Sequence, residues 1–315
     1  MRKTKIITEG AVLLSIYVIL LLITLYIPIV NNITNLFLAL PFILFRSRFD
    51  RKATALFFVA AILLSCIVGS IYAVPLTVLY GITGAILGDY IISNKSRIHM
   101  ILVASIAFFI NLVLFYWVSV LFFQVDYIDE MLQLLKTAVD QSESIMKMFN
   151  QNESQKAIDQ LDAAVKAIKF IIPSAIMIGS LLSVFVIQAV SVPIIKRFGI
   201  QTEPWLPIRL WRLPHYILWI FLGAIGISFF VPMEENTIMY TVFINVFYIL
   251  QLLIVLQGIS FLFFICFQYD VPKGITIIIT IFLFLNPTFS FLLKILGIID
   301  LGLDWRKFFY RKRMK

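Results

Sequence analysis

Apolar positions along this chain come in long unbroken blocks, set apart by short clusters of charge and by Asn, Gly and Pro. Nine blocks stand out, at 10–30, 33–45, 53–69, 71–92, 98–125, 170–195, 215–232, 238–267 and 275–298. A helix rises about 1.5 Å per residue and needs roughly 20 apolar residues to cross the hydrocarbon core, so most of these blocks suffice for one crossing. The block at 33–45 reaches only about 20 Å, which requires a thinned or protein-buried position or a longer tilted continuation. The last block carries Asn286-Pro287 near its middle, and fits either a broken, re-entrant helix or a full crossing with a proline kink. No cleavage-site pattern closes the first block, so it predicts a retained helix rather than a signal peptide.

Between the fifth and sixth blocks the pattern changes, because residues 126–169 carry eight acids and five lysines. Ile128, Met131, Leu132, Leu135 and Val139 recur at helical spacing, as do Ile158, Leu161, Val165 and Ile168 after the polar break at 150–153. This predicts two amphipathic helices that continue the flanking segments as an antiparallel hairpin. Their apolar stripes either zip the hairpin together or form a lid or docking surface.

Composition settles the solvent. Of 315 residues 61% are hydrophobic and 14% charged, and the mean hydropathy is +1.00, which excludes secreted, cytosolic, disordered and fibrous classes. The expected fold class is an all-α polytopic membrane protein with about eight or nine membrane segments, partnered first of all by the lipid bilayer. Basic loops at 46–52, 95–97 and 196–212 alternate with neutral or acidic ones at 31–32, 126–169 and 234–235. Lys and Arg in short loops stay in the cytoplasm, so the N-terminus is expected there and the 126–169 hairpin outside. The basic tail 306–315 also belongs in the cytoplasm, which favours a last segment that turns back. The expected organisation is a six-segment part, 1–195, followed by a second membrane part, 196–315. A net charge of +9 sits at membrane edges, which excludes nucleic acid as the partner.

Several side chains carry candidate chemistry. Thr77, Gly81, Gly84, Ala85 and Gly88 fall on one side of the fourth segment, a small-residue face that admits a close neighbouring backbone or a partner helix. Ala11 and Ser15, Ala61, Ser65 and Gly69, and Ala175, Gly179 and Ser183 repeat the spacing. Asp89 is the acid inside an apolar segment; it either binds substrate or a proton, or pairs with an interfacial cation such as Lys95 or Arg97. Asn111, Gln188, Asn245, Gln251 and Gln257 are further mid-segment polar groups that suit interhelical hydrogen bonds, with Asn111 and Gln188 the ones that could instead meet a ligand. Trp205, Arg209, Trp211 and Arg212 suit an interfacial helix against anionic headgroups, or a dock for a cytosolic partner. Cys66 and Cys266 form no metal or disulfide pattern and are expected to be small core residues. His99 and His215 lie at segment ends, and no catalytic motif, metal site or cofactor fingerprint is present, so the chain is expected to be non-enzymatic.

With those residues in hand, three stretches resemble the YybS family of bacterial multi-pass membrane proteins. They are the opening TEGAVLLSIYVILLLITLYIP, the RLP at 212–214, and the ending LGIIDLGLDWRK with Asp300, Asp304 and Arg306. The resemblance implies the cell membrane of a Gram-positive bacterium and names no substrate. More distantly, the first six segments look like the substrate-binding subunits of energy-coupling-factor transporters. Ala11 and Ser15 are similar to the small-residue motif by which those subunits dock on a membrane partner. The expected function is binding or partner-assisted transport of a small hydrophobic or amphipathic ligand; the alternative is a membrane scaffold that recruits cytosolic proteins.

Overall fold

The apolar blocks fold as helices, and no β-strand occurs among the described residues. The computed structural model describes residues 2–93, 97–146, 151–202, 204–231, 234, 237–303 and 305–306. Lys95, the break at Asn150, Glu235, Asp304 and the tail beyond Arg306 lie outside them. Among the described residues seven helices are long and apolar enough to cross a membrane, or eight if a bent pair, Lys273–Leu285 with Thr288–Leu303, counts as one span. The chain divides into two compact units, one of Met1–Val165 with Ala175–Pro204, the other of Lys166–Ser174 with Trp205–Lys315.

The first unit contains α1 (Arg2–Tyr26), α2 (Pro28–Thr34), α3 (Leu40–Arg48), α4 (Arg51–Gly69), α5 (Val74–Ile92), α6 (Arg97–Val118), α7 (Tyr127–Met146) and most of α8 (Gln151–Arg197). The short second block is extended in both directions, since α2, a 3-10 turn and α3 make one 21-residue span from Pro28 to Arg48, half of it buried. Burial suits its composition. Leu38, Ala39, Phe42, Ile43 and Phe45 of this span are all sealed from solvent. Phe42 meets Tyr17 of α1 and Phe57 of α4 edge-on, and Phe45 stacks on Phe57 with centroids 4.3 Å apart. In a bilayer the alternative to burial is lipid rather than water, so such interlocking, more than hydrophobic transfer, holds α3 in place.

The small face of α5 receives α3. A Cβ at Gly84 would lie 2.6 Å from the Ala39 carbonyl oxygen, and one at Gly88 2.9 Å from that of Ile43. Gly81 gives the same closeness to the Phe58 ring of α4, 2.5 Å. The polar groups at this seam satisfy one another: Tyr17 donates to Thr77 Oγ1 at 2.7 Å, and Thr77 donates to the Ala73 carbonyl. Ala61 and Ser65 of α4 are likewise buried. In the other stripes Ala11, Ser15, Ala175 and Gly179 are exposed and Ser183 is half-buried, and a Cβ at Gly179 meets nothing within 4 Å. Small residues permit a close approach but do not bring a helix to it. Cys66 is also exposed rather than in the core, whereas Cys266 is buried as expected.

The 126–169 region is helical on both sides of its polar break. Asp126 begins α7 by accepting the amide hydrogens of Ile128 and Asp129, each at 3.0 Å, and the Tyr116 hydroxyl at 3.1 Å. Gln124, in the left-handed region at φ 54°, separates α7 from the π turn ending the fifth segment. On the other side no break occurs, and α8 runs 47 residues into the sixth segment.

The second unit contains α9 (Tyr216–Phe230), α10 (Ile238–Gln268), α11 (Lys273–Leu285) and α12 (Pro287–Leu303). The last apolar block is broken at Asn286, where the chain bends by 112°. Pro287 lacks an amide hydrogen and disfavours helix at the residue before it, and Asn286 turns extended at ψ 113°. The two pieces, of 13 and 17 residues, are each short for a crossing. Gly258 of α10 and Gly297 of α12 meet backbone to backbone, their hypothetical Cβ atoms only 1.9 Å from the Leu293 oxygen and 2.1 Å from that of Ile254. Asn245 mends a weak turn of α8. Its side chain accepts from the Ser174 amide and donates to the Phe170 carbonyl, each at 2.7 Å, beside Pro173.

The loop expected to hold an interfacial helix does not form one. Only Ile208–Leu210 make a 3-10 turn between extended residues, because Pro204, Pro207 and Pro214 limit the proline-free run to six residues and push the residues before them out of helical geometry.

Candidate functional site

Lys95, one of the expected partners of Asp89, lies outside the described residues, and Asp89 pairs with two arginines of neighbouring helices. It ends the small face of α5, one residue beyond Gly88, and that seam brings it to the last turn of α3 and the first turn of α4. Arg46 NH2 of α3 donates to its Oδ1, and Arg51 of α4 forks onto both oxygens, Nε to Oδ1 at 3.1 Å and NH2 to Oδ2 at 2.7 Å. The two guanidinium groups differ in exposure. The Arg46 side chain is 12% exposed, the carboxylate 23%, and the Arg51 side chain 79%. Arg46 is fixed further by donating to the Phe49 carbonyl at 2.7 Å and by its Cβ resting over Gly88. Arg97 instead donates to Thr202 at 3.1 Å.

This triad stands at the end of a groove of about 370 Å³ between α4, α5 and α6. Ala55, Phe58, Gly81, Ile82, Ala85 and Val103 are among its apolar walls. Ala55 and Ala85 carry the shortest side chains of its walls apart from Gly81, against which the Phe58 ring rests. Its charged lining residues are Arg46, Arg51 and Asp89, which sum to one positive charge. A long carbon wall with a cationic mouth can hold an amphiphile by its tail and its head.

The remaining residues expected to act go elsewhere. Neither Asn111 nor Gln188 lines this groove. Asn111 donates to the Ala107 carbonyl of its own helix at 2.7 Å. Gln188 is buried between helices with its amide 3.6 Å from Met100 Sδ, and its Oε1 has no partner. Ser15 donates to the Ala11 carbonyl at 2.9 Å, on an uncovered face of α1. In the second unit, Arg209 lies 3.6 Å over the Phe267 ring and Trp211 donates to the Leu206 carbonyl at 3.0 Å. Trp205 is half-buried and Arg212 exposed.

Sequence reasoning named Asp300 and Arg306 only within a resemblance and gave this second carboxylate no role. Asp300 of α12 is fully buried and takes Arg306 at 2.6–3.0 Å through Nε and NH2. Gln257 donates to the same Oδ2 and accepts the Leu213 amide at 2.8 Å. Arg306 also donates to the Arg209 carbonyl at 2.8 Å and to Ser260 at 3.0 Å. Each nitrogen of the guanidinium thus has an acceptor. The cluster joins the RLP stretch, α10 and the LGIIDLGLDWRK ending, so two segments singled out separately in the sequence meet through one glutamine. The signal was present in Gln257, a polar residue in the most apolar stretch of α10, six residues after Gln251.

Taken together, the fold and site define an all-helical multi-pass membrane protein, with one polar cluster open to a groove and another closed. Residues 15–301 match the model of a family described as predicted membrane protein (DUF2232), and the chain belongs to that family. It is also similar to the uncharacterized protein YybS of Bacillus subtilis, 26% identical over 307 residues, covering 97% of this chain and 99% of that protein. No solved structure matches. Among the described residues, no group of three or more His, Cys, Asp or Glu could hold a metal ion.

Proposed function

We propose that this protein binds a small amphipathic ligand in the groove of its first unit, and carries or presents it together with a partner. The groove itself supports the reading: an apolar trench ending at a carboxylate and two guanidinium groups has the two-part chemistry of an amphiphile, and 370 Å³ falls within the ~300–1,000 Å³ of small-molecule sites. The exposed Ala11 and Ser15 supply a face on which a partner helix can dock. The rival, a scaffold recruiting cytosolic proteins through the Trp/Arg loop, draws less support, because Arg209 and Trp211 are engaged within their own unit.

In the same reading both termini face the cytoplasm, 126–169 lies outside, and the Asp89 end of the groove lies at the cytoplasmic edge beside the 46–52 basic loop. The test is to purify the full chain in mild detergent and analyse the lipid extract by mass spectrometry. Enrichment of one amphiphile over the bulk membrane lipids, lost in an Ala85→Leu variant that fills the groove, supports the proposal. Co-purification of proteins with no enriched small molecule speaks for the scaffold.

A further inference from the structure

The groove's two ends also constrain which amphiphile it takes, and the inference rests on the groove being a ligand site. We propose that its occupant is a single-chain amphiphile with an anionic carboxylate or phosphate head, bound head-first to Arg51 with its tail along α5.

The charge count gives the sign. Two guanidinium groups face one carboxylate at the mouth, so an anionic head brings the mouth to neutrality, whereas a cationic head meets an excess of its own sign. The exposure difference assigns the contact. Arg46 is wedged over Gly88 and held by the Phe49 carbonyl as well as Asp89. Arg51 projects from the first turn of α4 with its fork on Asp89. A guanidinium fork fits a carboxylate or phosphate in the same bidentate way. A ligand head can therefore replace Asp89 on Arg51 while Asp89 keeps Arg46, and no charge is left unpaired during the exchange.

The apolar wall sets the tail. From Gly81 to Asp89 is eight residues, about 12 Å of helix, and along this length the groove is lined by Ala55, Phe58, Ile82, Ala85 and Val103. A volume near 370 Å³ stands at the low end of the ~300–1,000 Å³ range of ligand sites, which suits one chain and not the paired chains of a phospholipid.

The experiment uses the full chain in nanodiscs of phosphatidylcholine, reading displacement of a dansyl-labelled fatty acid by laurate, neutral monolaurin, dodecyltrimethylammonium and phosphatidylglycerol at equal mole fractions in the bilayer. Laurate is expected to displace the probe at least tenfold more effectively than monolaurin, with the cation and the two-chain lipid weaker still. Arg51→Gln, at a mostly exposed side chain, should bring laurate's advantage over monolaurin below twofold in a variant with a wild-type elution profile; a retained tenfold advantage in that variant overturns Arg51 as the head contact. Asp89→Asn removes the competing carboxylate and should tighten laurate several-fold; a loss of laurate binding in a folded Asp89→Asn variant would overturn the head assignment. Equal displacement by laurate and monolaurin in wild type overturns the anionic head while leaving the groove intact. Phosphatidylglycerol matching laurate overturns the single chain. Probe binding unaltered by Ala85→Leu, in a variant with a wild-type elution profile, overturns the groove reading itself.

Discussion

Asp300→Asn is expected to unfold the second unit far more readily than Asp89→Asn unfolds the first, although each removes one negative charge from an arginine partner. Asp300 is 0% exposed at its side chain and Arg306 8%, so neither can turn to solvent when the pair is broken. Three donors converge on Oδ2 of Asp300, namely Arg306 Nε and NH2 and the Gln257 amide. An asparagine nitrogen at that position would face all three as another donor, while the guanidinium stays charged and buried. Breaking a buried pair in this way costs about 3–5 kcal/mol, which at ~1.4 kcal/mol per decade shifts the folding equilibrium by two to nearly four orders of magnitude. Asp89→Asn keeps an acceptor for Arg46 and releases an Arg51 that already lies mostly in the open, so its cost is about 1 kcal/mol.

The assay is denaturation by SDS in mixed micelles, followed by tryptophan fluorescence. The double variant Asp300→Leu with Arg306→Met separates charge from packing, because replacing a whole buried pair by apolar side chains is often close to neutral. It should recover more than half of the loss. If Asp300→Asn alone costs less than about 1 kcal/mol, the pair is hydrated in the membrane-embedded protein and the burial argument fails.

Three further outcomes are expected. Gly258→Ala places a methyl 1.9 Å from the Leu293 oxygen, so α10 and α12 must part, with a loss at or above the top of the ~1–3 kcal/mol usual for overpacking, measured by the same SDS titration. Gly84→Leu should lower the yield of folded protein on size exclusion much more than Leu63→Ala, since Gly84 abuts the α3 backbone whereas Leu63 is 60% exposed; equal yields would remove the support for a tight α3–α5 seam. With the native cysteines replaced, Gln141→Cys should label with a membrane-impermeant maleimide from outside intact cells and Lys315→Cys only after lysis, and external labelling at Lys315 would refute a cytoplasmic C-terminus.

The helices were legible because apolar block length fixes them regardless of partner. What packs where was not, since small-residue spacing is the same on α5, where α3 fills it, and on α8, where Gly179 meets nothing. The partners of Asp89 were illegible for a related reason. Arg46 and Arg51 lie 43 and 38 residues away, and sequence proximity pointed to Lys95 and Arg97 instead. The RLP stretch and the LGIIDLGLDWRK ending could each be noticed alone, but only the fold puts Gln257 between them. The loop at 201–215 misled in the other direction, its aromatic and basic residues suggesting a longer helix than the single 3-10 turn found between its three prolines.

The two carboxylates differ in one respect that decides what each can do. Asp300 has a buried cation for every charge it carries, buried amide and hydroxyl partners around that cation, and no exposed donor to exchange. Such a cluster can hold a segment in place, but a ligand would have to unpair a buried arginine before reaching it, at the same cost of several kcal/mol that makes the cluster stable. Asp89 shares its charge between a half-buried arginine and an exposed one at the end of an apolar groove. There an incoming anion can take the exposed partner while the half-buried one stays paired. Binding chemistry in this protein is therefore expected at the less perfect of its two ion clusters, because an exposed, excess cation is what an exchange requires.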